Sequence, residues 1–368
     1  MKHKQSQQQA KYRWQCYPIV RGAIAATLAA GTVFCVNLSA FALTNNLDQQ
    51  LQIPLNNGTQ GSIRDEADRL ARLGMRQEES GQLEKAIESW YKALELYHRI
   101  GDLEAQGIVY EQIGMAYGEL SMFVEAEDAL RRRLGIARDI KDFRGQIYGL
   151  NNVGTILLKR GDLNNAADAF AEGLEVSRSI KSAEGIGLSS SNLGLVAAAS
   201  GEHLKAIKHY RVALPYRGRA SDPIGEANTW NNLGDSYRAV KDYDEAASAY
   251  GAALRLARQS DSTPDRLRAI DGLVPAHSTA VGRYGYAFEL MDERFQLAQE
   301  MSSGPQQLTT LQSIAELYEE IGNEQAARNF YWRAIAVARQ IDDTRTEIEL
   351  LSRISRMGFF EEELEGTN

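Results

Sequence analysis

A small residue returns every forty positions through most of this chain: Gly74, Gly114, Gly154, Gly194 and Gly234, then, after a slip of one, Pro275 and Ala315. Seven positions after each stand Gly81, Ser121, Gly161, Gly201, Lys241, Gly282 and Gly322. Five beyond those stand Ala86, Ala126, Ala166, Ala206, Ala246, Ala287 and Ala327; four further on come the large residues Trp90, Leu130, Phe170, Tyr210, Tyr250, Met291 and Tyr331. A period of this length marks repeated supersecondary units stacked in a row. A forty-residue unit cannot bury its apolar face alone, so each neighbour must cover it. With only 7 prolines in 368 residues and few runs of Val, Ile or Thr, the unit reads as helical.

The fifth unit carries the clearest pattern: Trp230, Leu233, Gly234 and Tyr237, then Ala246, Tyr250 and Ala253. It resembles the tetratricopeptide repeat (TPR) signature. The resemblance covers about residues 63–358 and implies an all-α, right-handed α-solenoid of about seven helix hairpins plus a C-terminal capping helix. Two features depart from the family. The proline that closes each unit is replaced by His98, Arg138, Arg178, Gly218, Arg258, Gln299 and Arg339, and the period is forty instead of 34. Both imply that the second helix of each pair runs on for a turn or more. The fourth, eighth and eleventh residues of a first helix share one stripe. The glycine on that stripe is expected where the second helix crosses closest, with Ala246 its counterpart in the fifth unit. In the sixth unit Gly272, Pro275 and Gly285, with an insertion before the proline, predict weakened or kinked helices.

The opposite face of the first helices carries a second repeated feature, Gln112 followed by Asn152, Asn192 and Asn232. It resembles the asparagine ladder in the TPR region of O-linked GlcNAc transferase, where carboxamides hold the backbone of an extended peptide. A carboxamide offers a donor and an acceptor in one plane, which matches one peptide unit. Asparagine is a mediocre helix former, so three on one face need a reason. The alternative is that they tie neighbouring helices together. Tyr148, Asn151, Thr155, Lys159, Asn228, Asn231, Asp235 and Arg238 complete the expected groove. The carboxylate clamp of chaperone-binding TPR proteins is not evident, because Lys159 and Arg238 are too few and too far apart. Toward its ends the groove is acidic, with Glu78, Glu79, Glu111 and Glu119 early and Glu316, Glu319 and Glu320 late. These read first as a solvated face; the sharper alternative is a weak Mn²⁺ or Ca²⁺ site, and otherwise no cofactor is expected. Arg131, Arg132 and Arg133 form a basic run in the array; Glu127 and Asp128 stand one turn before Arg131 and Arg132, so local pairing is expected.

The first 42 residues stand apart. Lys2, Lys4, Lys11, Arg13 and Arg21 precede an apolar run over residues 22–36, and Ala40, Phe41 and Ala42 form an A-x-A site. This predicts a secretory signal peptide cleaved near Ala42, or an uncleaved anchor as the alternative. Residues 43–62 read as a flexible polar linker, and residues 359–368 as an acidic tail. Cleavage would remove both cysteines and leave 36 basic against 49 acidic residues, a net charge of −13. Nucleic acid is then a poor partner, since phosphates need a basic surface. No nucleophile elbow or phosphate loop is present, and His203 and His209 fall on different helical faces, so no enzyme is expected. An exported TPR scaffold that binds an extended segment or terminus of a client protein fits these features. The chain would meet a membrane only through that client. In layout it is similar to the cyanobacterial periplasmic processing-associated TPR proteins, which implies the periplasm or thylakoid lumen and photosystem II assembly. A regulatory TPR sensor, or an acidic metal-delivery protein, is the alternative.

Overall fold

A computed structural model describes residues 61–281 and 284–365. The expected signal peptide and nearly all of the linker lie outside the described residues. Fifteen helices follow one another, with no strand among the described residues. They pair as α1 (Ser62–Glu79) with α2 (Leu83–Arg99), α3 (Leu103–Glu119) with α4 (Phe123–Asp139), and α5 (Phe143–Lys159) with α6 (Leu163–Ser179). Next come α7 (Ala183–Ala199) with α8 (His203–Arg219), α9 (Pro223–Ala239) with α10 (Tyr243–Gln259), and α11 (Thr263–Val281) with α12 (Tyr284–Glu300). Last come α13 (Gly304–Glu320) with α14 (Glu324–Gln340), and the single helix α15 (Thr344–Glu365). The all-α solenoid expected from the period is present. No helix among the described residues is long and apolar enough to cross a membrane.

Helix length differs from expectation in an instructive way. From α2 to α10 every helix has 17 residues, so the extra length is shared equally between first and second helices. Three-residue links make each half-unit twenty long. The middle residue of each link is left-handed, as at Gly81, Ser121, Lys141, Gly161 and Lys241. Its N–H and the next one turn back to the preceding helix: Gly161 N to Leu158 O and Asp162 N to Leu157 O. This is a Schellman closure. The following residue then caps the next helix: Asp102, Asp142, Asp162, Ser182, Asp222 and Asp242 each accept from the N–H three residues on. One position therefore ends a helix and its neighbour starts the next, which holds the period.

The recurring glycine packs differently from the expectation. A Cβ on Gly154 would stand 2.6 Å from Phe170 Cε1, and one on Gly234 would stand 2.7 Å from Tyr250 Cε1. The counterpart is therefore the large residue sixteen positions on, lying over the glycine; Ala246 is buried but is not the partner. Phe170, Tyr210 and Tyr250 are fully buried in this way, and Tyr331 is fully buried at the matching position, where Ala315 replaces the glycine. The core falls into clusters that follow one another along the chain, the longest running from Ala197 of α7 to Leu317 of α13.

The sixth unit absorbs its insertion at the end of its first helix. α11 has 19 residues and continues through Pro275, so the proline does not break it. At the C-terminus α15 runs on to Glu365, through the segment expected as a tail; Phe, Glu and Leu sustain a helix there.

Candidate functional site

Neighbouring first helices touch one another along the middle of the array, notably α5 with α7 and α9 with α11. The residues of α7 explain why. Gly185, Gly187, Ser189, Ser190, Ser191, Gly194 and Ala197 present almost no side chain, and all are buried. Adjacent helices close onto this surface, and polar side chains bridge the seams.

The bridges form a series. Asn152 Nδ2 on α5 donates to Glu111 Oε1 on α3 at 2.9 Å. Asn192 Nδ2 on α7 donates to Asn151 Oδ1 on α5 at 2.9 Å, and Asn151 Nδ2 donates to Ser189 Oγ at 2.9 Å. Ser191 and Thr229 share a hydroxyl bond of 3.1 Å between α7 and α9. Arg268 Nη2 on α11 donates to Asn232 Oδ1 on α9 at 2.5 Å. Each ladder asparagine thus fixes its carboxamide to a neighbouring helix through one end. The other end, Oδ1 of Asn152 and Asn192 and Nδ2 of Asn232, makes no hydrogen bond; Asn152 is half-buried, while Asn232 and Asn192 are only 8% and 4% exposed. Each amide is thus anchored to a neighbouring helix at one end and retains hydrogen-bonding capacity at the other.

The remaining expected groove residues separate into two groups. Thr155, Lys159, Asn228, Asp235 and Arg238 are half-buried on the same face. Thr155 Oγ1 donates to Asn151 O at 2.8 Å, and Asn228 Nδ2 to Ile224 O at 3.3 Å. Burial pushes the Lys159 ammonium below its usual range, against the opposing pull of Glu119. Gln112, Tyr148, Asn151 and Asn231 are at least 96% buried, as is Asn192. Asn151 and Asn231 face the packed side of their helices instead of the expected groove. They sit one residue round the helix, in the seam, where Asn231 Nδ2 reaches Asp265 O at 3.4 Å. Tyr148 lies under Arg144, 5.6 Å from its ring centroid, and burial raises its phenol well above the ordinary range. Gln112 Nε2 is buried with no hydrogen-bond partner.

Arg268 was not expected, because the irregular sixth unit hid its register. Its Nη2 also donates to Asp235 Oδ2 at 2.7 Å, while Tyr250 OH donates to Asp235 Oδ1 at 2.6 Å. Arg133 is a second surprise. Arg131 and Arg132 pair with Glu127 and Asp128 at 2.8 Å as expected. Arg133 is buried instead, 3.1 Å from Asp142 and 3.5 Å from Glu111. Gly107 and Gly145 leave the space it fills. The forty-residue register contained the signal: Ala93, Gly173, Ala213 and Ala253 occupy the matching position.

The acidic ends also look different in three dimensions. Glu111 is a buried partner of Arg133 and Asn152, with its carboxyl held above the usual range by burial. Glu316 and Glu319 are both bonded by Arg353 of α15, at 3.2 and 2.5 Å. Among the described residues no three His, Cys, Asp or Glu side chains gather where they could hold a metal ion.

Stacked helical hairpins with this register define a TPR-type repeat protein. Residues 227–260, covering most of α9 and all of α10, match the tetratricopeptide repeat family model. No curated protein sequence matches the chain. Solved structures share the fold. The apo form of RapI is 17% identical, over 76% of this chain and 99% of its own, with a TM-score of 0.55. A signal transduction ATPase with a tetratricopeptide repeat sensor, from Pyrococcus horikoshii, is 17% identical over 78% of this chain and 44% of its own, with a TM-score of 0.61. A Rap protein complexed with competence and sporulation factor is 13% identical over 88% of this chain and 99% of its own, with a TM-score of 0.50.

Proposed function

We propose that this chain is an exported, non-enzymatic scaffold that holds an extended segment of a client protein along its first helices. The observation that carries the reading is the row of carboxamides at Asn152, Asn192 and Asn232, each bonded to a neighbouring helix through one end only. Each is already oriented by its inter-helix bond, so little rotamer entropy remains to be lost on binding. Bonds to a peptide backbone would hold a chain with little regard to its sequence. The Rap complex provides a precedent of similar fold with a bound factor. Export is proposed from the basic leader, apolar run and A-x-A site alone. The setting proposed is assembly of a membrane complex, with lumenal or periplasmic segments of photosystem II reaction-centre proteins as the first clients to try.

An array of such segments, probed with residues 43–368, tests the reading. Binding that falls when the three asparagines are replaced supports it; binding to none of the segments removes the assembly role. Mass spectrometry of the natural amino terminus should find Leu43 or a near neighbour, and an intact Met1 in a soluble cytosolic pool would overturn export. That second result would favour a regulatory sensor, the reading to which the Pyrococcus horikoshii sensor adds weight.

A further inference from the structure

A cleft of about 500 Å³ opens between α8 and α10, with α9 as its floor. It lies on the opposite side of α9 from the asparagine face, since Trp230 and Asn232 point about 200° apart on a helix. Its cause is legible in the register. In three other units an arginine near the end of the second helix reaches forward to a glutamate: Arg138 to Glu172 at 2.5 Å, Arg258 to Glu293 at 3.1 Å, and Arg339 to Glu347 at 2.6 Å. Gly218 occupies that position in α8, and Ala252 occupies the glutamate's place on α10. Pro215, one turn earlier, adds little bulk.

The missing arm uncovers a half-buried indole. Trp230 forms part of the lining, with Glu226 beside Gly218 and Glu245 on α10. Trp230 Nε1 stands 3.4 Å from Glu226 Oε1. Neither glutamate forms an ion pair, and neither does Arg211 on the α8 rim, so two carboxylates outnumber one guanidinium around an aromatic floor. An aromatic face beside unpaired carboxylates suits a cation on an aliphatic stem. The vacant position is the one that this chain fills with its own arginine in other repeats. We infer that the cleft is a docking slot for an arginine side chain presented by a partner protein, which takes the place that Arg138 and Arg258 occupy in cis. The net negative charge of the chain favours such a partner. The slot is separate from the asparagine face, and its failure would leave the proposed groove untouched.

Fluorine NMR on fluorotryptophan-labelled protein tests this directly, with Trp230 assigned by Trp230→Phe. The probe is acetyl-glycyl-arginyl-glycinamide, and its norleucine counterpart is the uncharged control. A saturable shift of the Trp230 resonance with the arginine probe is expected, weakening about tenfold when Glu226→Gln and Glu245→Gln are combined. Gly218→Arg, which restores the missing arm, should abolish it while the buried Trp90 resonance stays in place. No Trp230 shift in the wild type, an equal shift with norleucine, or an undiminished shift in Gly218→Arg would each overturn the assignment.

Discussion

Asn192 Nδ2 donates to Asn151 Oδ1 at 2.9 Å across the seam between α7 and α5, and both residues are at least 96% buried. The pair spans two consecutive repeats and explains why asparagine recurs at adjacent positions. Asn151 is bonded on both ends of its amide within the seam, whereas Asn192 uses only its Nδ2 there. The bond gives Asn192 a stabilising role between repeats, beside the recognition role proposed for it.

The glycine register gives the most direct packing prediction. A Cβ at Gly194 would overlap the buried ring of Tyr210. Gly194→Leu is expected to cost about 1–3 kcal/mol, beginning locally because nearest neighbours hold a solenoid together. Gly194→Ala combined with Tyr210→Ala should show non-additive coupling in a double-mutant cycle, read by denaturant midpoints. Strict additivity would separate the two residues.

Asp142 serves two neighbours. It accepts from Gly145 N at 2.8 Å as the α5 cap and lies 3.1 Å from Arg133 Nη2. Asp142→Asn keeps the cap acceptor and removes the charge; Asp142→Ala removes both. The alanine variant should be less stable than the asparagine variant by about 1 kcal/mol. Equal melting temperatures for the two would mean that the cap contributes nothing.

Glu111 gives the array a pH dependence. Burial raises its carboxyl above the ordinary value of 4.5 in the folded chain, against the lowering pull of Arg133 and Asn152. The folded state therefore binds this proton more tightly than the unfolded one. The contribution to stability is greatest below the unfolded value and is lost as pH rises through the folded one. Urea midpoints of the wild type should fall, relative to Glu111→Gln, as pH rises from about 4.5. Parallel profiles for the two proteins would contradict this.

The period and the all-helical fold are legible in the chain, because they depend on which face of a helix a residue occupies; the partner of the glycine is not, since spacing suggests Ala246 where the ring of Tyr250 lies. Nor are the seams. Spacing assigns Asn151 and Asn152 to adjacent faces but does not state how closely the next helix approaches. That distance is set by the small residues of α7, and Ser189, Ser190 and Ser191 are the signal that they come close. Arg268 escaped notice because the inserted residue lies after it, at the end of α11, where the helix lengthens to 19 residues. Arg133 was obscured by its two exposed neighbours, whose local ion pairs suggested the same fate for all three.

The central claim is that Asn152, Asn192 and Asn232 both join helices and present an amide to a bound chain. One triple alanine variant of residues 43–368 decides it, through thermal melting and client-peptide affinity measured on the same preparation. Each lost inter-helix bond should cost roughly 0.5–1.5 kcal/mol of stability, although alanine recovers part of this through its helix propensity. Affinity per folded molecule should fall as well, by about tenfold or more, because three backbone contacts disappear together. Lower stability with unchanged affinity per folded molecule would reduce the asparagines to helix ties and contradict the account.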